Sequence, residues 1–305
     1  MPPSPRLPVA CLAVALALGP AGCGGGAGAG GTGGRPSVVA AESIWGSLVT
    51  ELGGDRVAVR SIVANPATDP HGHQPTAADA RALAGARLVV ANGIGYDPWV
   101  SRTLAANPVD GRRTLTVGDV LGLGPGANPH RWYSPSDVLR VIDAITAQLS
   151  AVDPGDAGFF AARRSALLGP GLAAYRRDLA VIRARYAGIP VGASESIAVP
   201  LTDALGLRLI TPPGYLRAIS EGIDPSAQDT ATVHSQVDAR AIRVWLLNTQ
   251  NQTPDVTRLT AEARARGIPI VTLTETPDPV GASFVAWQTA QLARLGGALA
   301  QSSGR

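Results

Sequence analysis

Lysine is missing from this chain: all 26 basic residues are arginine. No GxxxxGK[ST] phosphate loop exists, which excludes a P-loop ATPase. The net charge is only +3, and the arginines are scattered, which argues against a nucleic-acid partner. Cysteine is scarce, with Cys11 and Cys23 alone. Cys11 falls in a leader segment, so the mature chain has no pair for an internal disulfide. No HExxH helix, no GxSxG elbow and no cysteine nucleophile remain after processing, so the usual hydrolase signatures are missing. Long apolar runs are also lacking. The one run, residues 7–18, has 12 residues, too few for a comfortable membrane span.

That run sits between Arg6 and the sequence Pro20-Ala21-Gly22-Cys23, the layout of a secretory leader over residues 1–22. Small residues before Cys23 resemble the lipobox of bacterial lipoproteins, although Pro20 stands where leucine is usual. The resemblance implies lipidation of Cys23 and anchoring at the outer face of the bacterial cell membrane. Eight of the eleven residues 24–34 are glycine. We expect residues 23–36 to be a flexible tether with a reach on the order of 20 Å.

The rest reads as α/β. Strands are expected at 38–40, 57–63, 87–91 and 113–117, alternating with helices. The rhythm repeats with strands at 190–194, 207–211, 242–247 and 268–273, and a last helix over 283–300. Between the halves, residues 155–186 have helical spacing, interrupted at Gly169-Pro170-Gly171. The expected organisation is an N-terminal lobe over 37–152, a linking helix over 153–188 with a break at 169–171, and a C-terminal lobe over 189–305. The sheets should be mostly parallel, with a ligand site in the cleft between lobes.

Only four histidines occur, and two share a context: Asp69-Pro70-His71 and Asn128-Pro129-His130. Each stands on a short loop stiffened by proline, just ahead of a helix. Ligands of open α/β sheets bind beyond the carboxyl ends of strands. That rule adds Glu195, after the strand PVGAS, and Glu275, after IPIVTLT. Across a cleft, the four would form a site with two imidazoles and two carboxylates. Such donors suit Zn(II), Mn(II) or Fe(II), and discriminate against Mg(II) and Ca(II). His73 is the alternative to His71, and Asp278 the alternative to Glu275. Asn92, Asn248 and Gln250 lie at strand ends, either to orient ligands or to satisfy loop backbone groups. Trp99, Trp132 and Trp245 are expected in the core, and His234 on a solvated helix face.

Several stretches together resemble the solute-binding receptors of bacterial zinc and manganese ABC importers. They are DPHGHQPTAAD (69–79), VVANGIGYDPW (89–99), NPHRWYSPSDV (128–138), GASESIAVPL (192–201), LLNTQ (246–250) and WQTAQLARL (287–295). The resemblance implies two α/β lobes joined by a long helix, with Zn(II) or Mn(II) held between them. It implies a monomer that delivers the ion to an ABC permease driven by a cytoplasmic ATPase, and no catalysis. His71 and His130 match the first two ligands. Glu195 falls where zinc receptors usually have histidine and manganese receptors glutamate. Glu275 falls where aspartate is usual. The long histidine-rich loop of many zinc receptors is missing. Alternatives are a surface adhesion lipoprotein with a structural metal, a secreted metal-dependent hydrolase, and a siderophore or cobalamin receptor.

Overall fold

The computed structural model describes residues 1–2, 34–67 and 69–303. Cys23, most of the leader and the tether as far as residue 33 lie outside the described residues. Arg35–Arg305 forms one unit, built on two four-stranded parallel sheets. The first contains β1 (Ser37–Glu42), β2 (Ala58–Val63), β3 (Leu88–Ala91) and β4 (Arg113–Thr116), in the order β2-β1-β3-β4. The second contains β5 (Pro190–Ala193), β6 (Arg208–Leu209), β7 (Trp245–Asn248) and β8 (Ile270–Leu273), in the order β6-β5-β7-β8. The two orders are equivalent. In each sheet the winding reverses beside the first strand, between β1 and β3 and between β5 and β7, and crevices form at such points.

Helices α1 (Ser43–Gly53), α2 (Ala77–Ala84), α3 (Pro98–Ala106), α4 (Val117–Leu121) and α5 (Pro135–Val152) accompany the first sheet. Helix α5 shows why the sequence pattern is readable. Val138, Val141, Ile142, Ile145, Thr146 and Leu149 recur at helical spacing and are all buried. Between the two sheets in sequence run α6 (Ala157–Ala166) and α7 (Ala173–Tyr186), separated by a break in the helical ladder. The break is a π turn, Leu167–Gly171, closed by Leu172 N–H to Leu167 O at 2.8 Å. Pro170 has no N–H to donate and crowds the preceding turn of an α-helix; the wider turn makes room for it. Helices α8 (Val199–Leu205), α9 (Pro213–Ser220), α10 (Ala227–Asp238) and α11 (Pro254–Ala265) accompany the second sheet, and α12 (Phe284–Ser303) closes the chain.

Some boundaries differ from expectation. The strand expected over 207–211 shrinks to Arg208–Leu209. Thr211 leaves the ladder, and its Oγ1 accepts the Ala193 amide instead, at 3.0 Å. The strand expected over 242–247 pairs only from its end, as Trp245–Asn248. Ahead of α2, Thr76 and Asp79 form a reciprocal capping box.

Trp99, Trp132 and Trp245 are buried as expected. One apolar cluster includes Val38 and Leu88 of the first sheet, Val191 and Leu246 of the second, and Trp287 and Leu295 of α12. The two lobes therefore share a core. Gly192 in β5 marks one tight point. A Cβ there would lie 2.5 Å from Ile242 Cδ1 and 2.8 Å from Trp245 Cε3. Gly192→Ala is expected to lower unfolding free energy by about 1–3 kcal/mol, through overpacking. Chemical denaturation measures this, and a wild-type midpoint would disprove the close approach.

Candidate metal centre

The two histidine loops use the same local device. The Asp69 carboxylate accepts the His71 backbone N–H at 2.9 Å, and Asn128 Oδ1 accepts that of His130 at 3.0 Å. In each case the residue before proline folds back over the peptide of the histidine. Asn128 does more. Its Nδ2 donates to Ser196 O at 2.7 Å, which leaves Oδ1 as an acceptor for His130 Nδ1–H at 3.0 Å. With the proton on Nδ1, the Nε2 lone pair of His130 is free to face inward.

Glu195 stands just beyond β5, and Glu275 just beyond β8. His71, His130, Glu195 and Glu275 each place a donor atom within 4.8 Å of the others. His71 Nε2 lies 3.4 Å from His130 Nε2 and 3.3 Å from Glu275 Oε2. His130 Nε2 lies 3.3 Å from Glu195 Oε1 and 3.5 Å from Glu275 Oε2. A tetrahedral shell with bonds of about 2.1 Å has donors about 3.4 Å apart. These four separations match, and the remaining pairs lie within 4.8 Å. Glu195 Oε1 is buried and accepts no hydrogen bond, so a carboxylate oxygen is directed into the centre without a donor.

Asn248, at the end of β7, binds both acids. Its Nδ2 donates to Glu195 Oε2 and, at 2.6 Å, to Glu275 Oε1. Tyr96 donates its hydroxyl to Glu275 Oε2 at 2.7 Å. Gln250 Oε1 accepts the Glu275 and Thr276 backbone N–H groups, at 2.5 and 3.2 Å. Asn92 accepts from Trp45 Nε1 and donates to Pro129 O at 3.2 Å. So Asn248 orients carboxylates, whereas Asn92 and Gln250 hold the backbone next to His130 and Glu275. Behind the centre, Tyr133 O–H is 2.9 Å from Thr274 O and 2.7 Å from Gln291 Oε1, and Gln288 donates to Trp132 O. These bonds tie the loop after His130 to the chain beside Glu275.

His130, Glu195 and Glu275 are fully buried, while His71 is 23% exposed. A cleft of about 960 Å³ opens over the site, and His71 alone of the four lines it. Burial draws the His71 imidazolium down, but Glu275, Glu195 and Asp69 outweigh it and raise the pKa to about 9. Burial and the charge of Glu275 push the Glu195 carboxyl up. Burial would raise Glu275 too, yet hydrogen bonds and charge from His130 and His71 hold it well below the usual range. Two buried carboxylates facing each other are costly unless a cation sits between them.

The alternatives weighed from sequence fall elsewhere. His73 packs on Trp99, 4.8 Å between ring centroids, and its Nε2 lies 3.6 Å from Asp79 Oδ2. Asp278 is exposed. His234 is not simply solvated: Nδ1 is 2.6 Å from Glu262 Oε2, and Nε2 is 3.7 Å from Asp255 Oδ1. The sequence reading missed Tyr96 and Tyr133. Tyr96 follows the end of β3, so the strand-end rule points toward it. Tyr133 gives no local signal.

Four donor side chains converge between the two parallel sheets of a two-lobed α/β protein. The chain belongs to the family described as zinc-uptake complex component A, periplasmic, whose model matches residues 38–298. It is 29% identical over 159 residues to the manganese-binding lipoprotein MntA of Halalkalibacterium halodurans, covering 51% of this chain and 53% of that protein. It is 30% identical over 126 residues to the iron-binding protein YfeA of Yersinia pestis, covering 39% of this chain and 40% of that one. The chain thus spans about half the length, or less, of these curated relatives. Among solved structures, a cadmium-bound periplasmic metal-binding protein from Candidatus Liberibacter asiaticus superposes with a TM-score of 0.71 at 20% identity. That match covers 87% of this chain and all of the other, and shows the shared fold.

Proposed function

We propose that this chain is the extracytoplasmic receptor of an ABC importer, and that it captures one transition-metal dication and delivers it to a permease. His71, His130, Glu195 and Glu275 are the assigned ligands. The carrying observation is the four donors, drawn from four distant segments, all within 4.8 Å of one another and with four of their separations at the 3.3–3.5 Å of a tetrahedral shell. The names of the relatives support Mn(II), Zn(II) or Fe(II) as the class of cargo. Two anionic donors neutralise such an ion, and two imidazoles favour it over Mg(II). Four protein donors leave no position for an activated water, which favours carriage over hydrolysis. An anchor at Cys23, the glycine tether, and lobes at 37–152 and 189–305 about a linker at 153–188 complete the reading. The partner would be a membrane permease with a cytoplasmic ATPase.

Titration of metal-free protein with Zn(II) and Mn(II), separately and in competition, tests this. One tight site per chain is expected; no tight site for either ion would end the receptor reading. Capture should also release a proton. His71 is protonated below about 9 and must lose that proton to bind. Affinity is therefore expected to rise with pH up to that value. Calorimetry at neutral pH in two buffers of different ionisation enthalpy should show about one proton released per ion. A binding heat independent of the buffer would contradict this.

A further inference from the structure

Asn248 touches both acids of the centre and is itself fully buried. An amide nitrogen carries two hydrogens, and here each carboxylate faces one. The side chain is not free to turn. Its Oδ1 accepts Gln250 N–H at 3.0 Å, and its own backbone N–H donates to Ser194 Oγ at 2.9 Å.

The consequence is geometric. The outer oxygens, Glu195 Oε2 and Glu275 Oε1, are held on Asn248. The inner oxygens, Glu195 Oε1 and Glu275 Oε2, face the imidazoles at 3.3–3.5 Å. Each acid therefore offers one oxygen to the centre. Two oxygens and two nitrogens make four donors, which satisfy Zn(II). Mn(II) suits a larger, oxygen-rich shell. To build one here, the outer oxygens would have to swing inward and leave Asn248 with two buried N–H groups unpaired. That desolvation is costly.

We propose that Asn248 sets the metal selectivity of this centre: by holding both carboxylates to one inward oxygen each, it imposes a four-coordinate seat that favours Zn(II) over Mn(II) beyond their ordinary affinity order. The proposal rests on the four-ligand reading given above.

The test compares the full-length protein with Asn248→Leu, which keeps the branching at Cγ and removes the donors. Zn(II) and Mn(II) affinities are measured by competition, and Co(II) is added as a spectroscopic probe. In wild type, Co(II) should give the intense visible bands of four-coordination. In Asn248→Leu the bands should weaken, and the ratio of Zn(II) to Mn(II) affinity should fall about tenfold or more, as for other groups that orient ligands. An unchanged ratio and spectrum would overturn the proposal. So would an equal loss of both affinities with the ratio intact, which marks a merely structural role. Should Asn248→Leu fail to fold, Asn248→Ser takes its place, and weak Co(II) bands in wild type overturn the proposal without any variant. Wild type without a tight site for any of the three ions defeats the receptor reading itself, a result distinct from a tight but unselective site.

Discussion

Replacing Glu195 with alanine is expected to lower transition-metal affinity by more than about a hundredfold, since even groups that only orient a ligand are worth 10–100-fold. Glu195 Oε1 is the one inward carboxylate oxygen that accepts no hydrogen bond, so no protein donor competes for it. Removing it leaves three donors and a void lined by His130 and the Asn248 amide. Glu195→Gln should also bind poorly, because it keeps the volume but removes a negative charge next to a dication. Competition with a chelator of known affinity measures both. Wild-type affinity in either variant, with one ion still bound per chain, would sink the assignment of Glu195. His130→Ala should behave alike, since its Nε2 faces both carboxylates at 3.3 and 3.5 Å.

Metal removal should produce the second large effect. An ion that binds the folded chain alone stabilises it by about 4 kcal/mol at a free concentration a thousandfold above Kd. For a body of this size that corresponds to about 8–16 °C in the thermal midpoint, at about 2–4 °C per kcal/mol. The physical cause lies in the centre. Without a cation, two fully buried carboxylates are balanced only by hydrogen bonds and by the proton on His71. With one, the same charges become attractive contacts. Scanning calorimetry with and without chelator measures the shift. Glu195→Ala should lose most of it while keeping a cooperative transition. A midpoint indifferent to Zn(II) in wild type would contradict a buried four-ligand site.

Much of this was legible from residue order, for reasons that can be stated locally. A proline beside each of two histidines restricts the backbone on both sides, and that stiffness does not depend on the rest of the chain. Strand ends were visible because buried parallel strands such as Leu88–Ala91 are continuous apolar runs. The rule that ligands gather beyond such ends then led to Glu195 and Glu275. The break at residues 169–171 followed from the chemistry of proline and glycine. Its form as a π turn did not, because a kink and a widened turn relieve the same clash. Edge positions were the least legible. Residues 207–211 have strand composition, but only two of them pair, because Thr211 gives its side chain to β5.

What the sequence determined by itself was therefore the set of stiff or strand-terminal positions able to present a donor, and the repeated α/β rhythm that carries them. Tertiary structure alone decided which of these meet. His71, not His73, reaches the centre, although the two are separated by a single glycine, because the ring of His73 is drawn to Trp99 and Asp79. Tyr96 reaches an acid 179 positions away, and Asn248 reaches acids 53 and 27 positions away. No periodic pattern encodes such pairings. Local preference specifies the conformation of a segment, whereas these contacts depend on how two sheets are set against each other by a shared apolar core. The number of oxygens each carboxylate turns inward belongs to that second level, and with it the preference for one metal over another.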